Sequence, residues 1–161
     1  MPSREISSAK RTWRSNAKER IERQVYLLLQ HVSGELVHEL ATLLKDEGIT
    51  AEQYQVLRIL NEAGSGGVPL SVIADRSPVG DPDITRLVDR LEQRGLARRD
   101  RDSSDRRVVT ARITSEGRRL HGRLEKPVAA LHERQLATLG QHGLAELRRL
   151  LQKVAEVGPV I

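Results

Sequence analysis

Between Leu70 and Thr114 the hydrophobic repeat switches from helical to strand-like, and this switch sets most of what the chain can fold into. Leu70, Ile73 and Ala74 share one face of a short helix ending near Arg76, and Ser77-Pro78-Val79-Gly80 breaks it. Asp81 or Pro82 opens a second helix, where the missing N–H of a proline costs nothing. Ile84, Leu87, Val88 and Leu91 form its buried stripe, and Gly95 is its C-cap. Leu96–Arg101 and Arg107–Ile113 then read as strands. In the second, Val109, Ala111 and Ile113 alternate with Val108, Thr110 and Arg112. Asp102-Ser-Ser-Asp105 forms the turn between them. Helix, break, helix, strand, loop, strand is the order of a winged helix-turn-helix.

Long helices flank this head. From Glu19 to Asp46, apolar residues from Ile21 to Leu44 keep helical spacing over about seven turns. Gly48 stops that helix. Thr50-Ala-Glu-Gln53 has the form of a capping box, and it opens a helix through Tyr54, Val56, Leu57, Ile59 and Leu60 that ends at Gly64. Val68-Pro69 is a very short strand. Thr114-Ser-Glu-Gly starts another helix through Leu120, Leu124, Val128, Leu131 and Leu136, and Pro127 should kink or interrupt it. Gly140 and Gly143 punctuate, and Leu144, Leu147, Leu150, Leu151 and Val154 form a last helix. The fold class is mainly α with a small β-wing.

Apolar residues make up 38% of the 161, low for a chain that completes its own core, which favours an oligomer. The formal charge is +5, and a basic surface suits nucleic acid or an anionic membrane. There is no cysteine, which excludes disulfides, thiol redox sensing and thiolate metal sites. No apolar run is long enough for a membrane span, and the first twenty residues lack a signal-peptide core, so a cytoplasmic protein is expected. Aromatics are confined to Trp13, Tyr26 and Tyr54, too few for stacking single-stranded bases.

Packing the stripe of the second helix inward turns Asp83, Thr85, Arg86, Asp89, Arg90 and Gln93 outward. Thr85 and Arg86 lie in the first turns, the part of a recognition helix that meets base edges in the major groove, where arginine bridges guanine O6 and N7. Asp83 either accepts from a base amino group or, the reading we favour, orients Arg86 or interacts with the helix N-terminus. Arg90 touches phosphate or pairs with Asp89 or Glu92. The hairpin carries Arg98, Arg99, Arg101, Arg106 and Arg107 with Asp100, Asp102 and Asp105 interleaved. An arginine at its tip can enter a narrow minor groove, held by a neighbouring aspartate.

The segments TAEQYQVLRIL, ITRLVDRLEQRGLARR and DRDSSDRRVVTARITSEG, in this order, resemble the MarR family of bacterial transcriptional regulators over about residues 20–155. The resemblance implies a homodimer whose first and last helices interlock and whose two winged heads bind a pseudo-palindromic operator. It implies helix 81–94 as the recognition helix, Arg107 (beside Arg106) as the minor-groove arginine of the wing and Asp105 as the acid that holds it. It further implies repression relieved by a small aromatic or phenolic effector. SPVGDPD, ahead of the recognition helix, is more acidic than in many members. The organisation expected is a basic arm or short extra helix at 1–18 and one domain at 19–161. Within it, 19–47 and 115–161 are dimerisation helices and 50–114 the winged helix-turn-helix.

Other readings are weaker. His31 and His38 lie seven apart, and His121, His132 and His142 are scattered, so surface histidines are expected rather than zinc ligands. No nucleophile–base order, phosphate-binding glycine loop or metal pair suggests an enzyme or a cofactor. Glu116-Gly117 reads as an ordinary helix start. The alternative function is a winged-helix protein-interaction module without specific DNA readout.

Overall fold

The computed structural model describes residues 20–77, 83–101 and 109–156. The elements are α1 (Ile21–Leu44), α2 (Ala51–Glu62), β1 (Val68–Pro69), α3 (Leu70–Arg76), α4 (Ile84–Gln93), β2 (Ala97–Arg101), β3 (Val109–Ile113), α5 (Ser115–Leu136) and α6 (Gly140–Glu156). The mainly helical winged helix-turn-helix expected from the sequence is the architecture observed. The chain divides into two compact units within α1, one ending at Leu36 and the other starting at Val37. The arm expected at 1–18 with Trp13, the break expected at 78–80 with the helix opening expected at Asp81 or Pro82, and the wing residues Asp105, Arg106 and Arg107 lie outside the described residues.

Local chemistry sets the element ends. Gly48 adopts φ 66° and closes the short 3₁₀ turn after α1, a conformation glycine takes without a Cβ clash. Thr50 and Gln53 form the capping box: Gln53 N–H donates to Thr50 Oγ1 at 3.2 Å and Thr50 N–H donates to Gln53 Oε1 at 2.9 Å. At the end of α4, Gly95 N–H donates to Glu92 O and Leu96 N–H to Leu91 O. This pair of hydrogen bonds is a Schellman motif, and buried Leu91 and Leu96 supply its apolar contact.

The core of the second unit draws on every layer. Leu44, Leu57, Leu60, Ile73, Val88 and Leu91 are fully buried, joined by Ala111 and Ile113 of the sheet and Leu120, Leu124, Val128 and Leu131 of α5. Each fully buried leucine or isoleucine contributes about 1.5–3 kcal/mol of transfer free energy. The antiparallel sheet has the order β1-β3-β2, so β1, two residues long, still extends the wing by pairing Val68 with Ala111.

Three sequence expectations are corrected. α4 opens after Asp83, not at Asp81 or Pro82, because Asp83 is its N-cap: the backbone is non-helical and the carboxylate accepts from Arg86 N–H at 3.0 Å. Of the two outcomes expected at Pro127, interruption does not occur: α5 continues as one helix through it. Pro127 is exposed, so the backbone bond it cannot donate is lost on the solvent side, while Leu124 and Val128 keep the inner face packed. Gly140 (φ 58°) does break the chain after a 3₁₀ turn, but Gly143 lies inside α6 without interrupting it.

Among the described residues no helix is long and apolar enough to cross a membrane. α6 buries none of its residues against the rest of the chain, and Leu150, Leu151 and Val154 are 46%, 43% and 65% exposed. In α1, Ile21, Val25, Leu29 and Val32 are also exposed.

Candidate nucleic-acid interface

The outer side of α4 is the centre of the site. Ile84, Val88 and Leu91 are buried and Leu87 packs against the core, so the helix is held along one stripe. Thr85, Arg86 and Arg90 are thereby turned to solvent, as the sequence spacing implies. None of their side chains has a partner among the described residues. Two guanidiniums one helical turn apart, each with its donors free, form an anion-seeking surface. Arg86, Arg90 and Leu87 also line a shallow cavity with Asp83 and with Thr50 and Glu52, which places the first turn of α2 beside α4. Asp83 itself is engaged in capping, the structural role favoured for it above.

Arg90 does not pair with Asp89 or Glu92. Both carboxylates go to Arg99 of β2, which ion-pairs with Asp89 and donates from Nε to Glu92 Oε2 at 2.9 Å. The backbone N–H of Arg99 adds a bond of 2.8 Å to Glu92 Oε1. This arginine therefore fastens the base of the wing to α4. Strand alternation then splits the hairpin arginines. Arg99 and its cross-strand partner Ala111 face α4, so Arg98 and its partner Arg112 face away from it.

Arg94, at the end of α4, was not singled out by sequence reasoning. Its guanidinium donates to Gly48 O at 2.6 Å and Glu47 O at 2.8 Å, satisfying the carbonyls that α1 and its 3₁₀ turn leave open. The only sequence signal is a cation at the C-terminal end of a helix, too common to point at a partner 46 residues away. Thr114 carries a third tie: its hydroxyl donates to Gly95 O at 2.6 Å while its oxygen caps Gly117 N–H at 3.0 Å. Gly117 is no ordinary helix-start residue. It is buried, and a Cβ there would overlap the carbonyl oxygen of Leu96 and sit 2.8 Å from Ile113 Cγ1.

His121 corrects the expectation of surface histidines. It is buried and stacks on Tyr54 with ring centroids 5.9 Å apart and planes 5° from parallel. Burial pushes the Tyr54 phenol up, Arg58 opposes that shift and Glu125 adds to it, so the phenol is neutral over the physiological range. His31, His38, His132 and His142 are exposed. Among the described residues no group of three His, Cys, Asp or Glu side chains could hold a metal ion.

Comparison with known proteins places this geometry. The MarR family model matches residues 49–109. An HTH-type transcriptional repressor of Mycobacterium tuberculosis is 30% identical over 127 residues, 79% of this chain and 90% of that protein. The crystal structure of a MarR transcription factor from Planctomyces limnophilus is 37% identical, covers 83% of this chain and 97% of that one, and has a TM-score of 0.65. An S. aureus MepR–DNA complex, 21% identical, shares the fold with a TM-score of 0.75 over 82% of this chain and 96% of that one. With the reading head matched by the family model, and identity sustained over nearly the full length of relatives, the chain belongs to the MarR family.

Proposed function

We propose that the chain is a sequence-specific DNA-binding transcriptional regulator, acting as a homodimeric repressor on a pseudo-palindromic operator. The observation that carries this reading is the outer side of α4, where Thr85, Arg86 and Arg90 stand solvent-exposed and, among the described residues, unpartnered on a helix anchored along its opposite stripe. Relatives bear the names of transcriptional repressors, which also disfavours a protein-interaction module that has lost DNA readout.

In this reading Arg86 meets a base edge, Arg90 a backbone phosphate, and Arg107, held by Asp105 and flanked by Arg106, the minor groove. Asp83 pre-shapes the first turn that presents Thr85 and Arg86. Arg99 keeps wing and recognition helix at one spacing, so both grooves are engaged together. Two heads related by a two-fold axis must lie about 34 Å apart to meet successive major grooves. A small aromatic or phenolic effector releases the operator by favouring another spacing, and it shifts that balance only by its differential affinity for the two states.

Selection of bound sequences from random duplex DNA tests the reading. A two-fold symmetric consensus is expected, and the absence of any preferred sequence at low ionic strength would end it. Two substitutions refine it. Arg86→Ala is expected to cost about 1–3 kcal/mol on the selected operator and much less on random DNA, read by competition gel shift. Equal weakening of both would make Arg86 a phosphate contact. Arg107→Ala is expected to weaken operator binding by about 1–3 kcal/mol with the dimer mass unchanged. Undiminished affinity would remove the wing from the interface.

A further inference from the structure

A second cationic feature lies on the sheet face turned away from α4. Arg98 of β2 and Arg112 of β3 are cross-strand partners there, and Arg118 of α5 joins them around a cavity of about 300 Å³. Ser65, Thr114 and Ser115 complete its polar wall, and Ile113 is the only large apolar residue lining it. Among the described residues one carboxylate serves this group: Asp100 accepts from Arg112 Nε at 2.7 Å and lies 3.7 Å from Arg98 Nε. Glu116 is engaged with Arg119 at 2.7 Å. Arg118 has no partner among the described residues.

Among the described residues, three guanidiniums around one aspartate leave an excess of two positive charges lining a small cavity. Arg112 uses Nε on Asp100 and Nη1 on the Ser65 carbonyl, which leaves some of its five donors uncommitted. The planar fork of arginine matches the oxygens of a phosphate group, and clustered forks bind it with several charge-assisted bonds. The cavity is at the lower end of small-molecule site volumes, and its lining holds no aromatic side chain to receive a ring. We infer that the Arg98–Arg112–Arg118 notch is a binding site for a small phosphate-type anion, distinct from the duplex-binding side of α4.

The site does not depend on the DNA-binding proposal, and its test separates the two. The probe is inorganic phosphate, titrated calorimetrically into the full-length protein at constant ionic strength. Saturable binding is expected, about tenfold or more weaker in the Arg98→Gln/Arg118→Gln double variant, which spares Arg112 and its ties to the fold. Arg148→Gln, an exposed arginine of α6, should bind phosphate as the parent does. Amide shifts on titration should centre on Ser65 and Ser115. Absence of saturable heat, or equal affinity in the double variant, overturns the inference. The double variant should also keep the parent's affinity for duplex DNA. A salt dependence shallower by about 2 would instead make the notch a contact for backbone phosphates of DNA, and the inference would fail.

Discussion

Gly117→Ala is expected to destabilise the protein by about 2–3 kcal/mol, lowering Tm by roughly 5–10 °C. The new methyl overlaps the Leu96 carbonyl oxygen and crowds Ile113 Cγ1. Backbone is the obstacle, so no rotamer relieves it, and α5 must lift away from the start of β2. That movement breaks the junction at which Thr114 ties the end of α4 to the start of α5. Duplex affinity should therefore fall together with stability. Gly122→Ala in the same helix is the internal control. A Cβ there meets nothing within 4 Å, so the change should be neutral or stabilising by up to about 1 kcal/mol. Thermal melts of the two variants check the pair, and a Gly117→Ala protein with the parent's Tm would contradict the close packing.

Leu150→Glu/Leu151→Glu in α6 is expected to produce a folded monomer that binds the operator at least about 100-fold more weakly. Both leucines are nearly half exposed in the protomer, so the charges should leave helix content intact. In an apolar contact between two copies the same charges are buried without partners, a cost of several kcal/mol for each ion. A monomer reaches one half-site at a time and loses the effective-concentration gain of two linked heads, about 10²–10⁴ in affinity. Mass by light scattering, far-UV circular dichroism and operator titration read the three parts of the prediction. A variant that remains a dimer would show that α6 lies outside the interface.

Much of the reading head was legible beforehand because its signals are local. Ile84, Leu87, Val88 and Leu91 recur at the helical period, and one turn of spacing suffices to tell which side of α4 is left for a ligand. The Thr50–Gln53 box likewise needs three residues to recognise. The start of α4 is ambiguous in the sequence because Asp81, Pro82 and Asp83 are all competent openers, and only the backbone angles at Asp83 choose between them. That the helix continues through Pro127 is not legible locally, because proline's cost depends on which side of the helix loses its bond, and exposure is a tertiary property.

The amino-acid sequence alone determined the order of elements, the stripe that anchors α4 and the identities of Thr85, Arg86 and Arg90 on its free side, since each follows from a repeat of 3.6 or 2.0 residues. Tertiary structure alone decided how the charges are spent. Arg99 is fastened to Asp89 and Glu92, Arg94 to the carbonyls of Glu47 and Gly48, and Arg98 is grouped with Arg112 and Arg118 on the opposite sheet face. It also decided that His121 is buried on Tyr54 and that only glycine fits at 117. The reason is range: a periodic pattern reports which way a side chain points, whereas its partner is set by segments that lie far apart in the chain and meet only on folding.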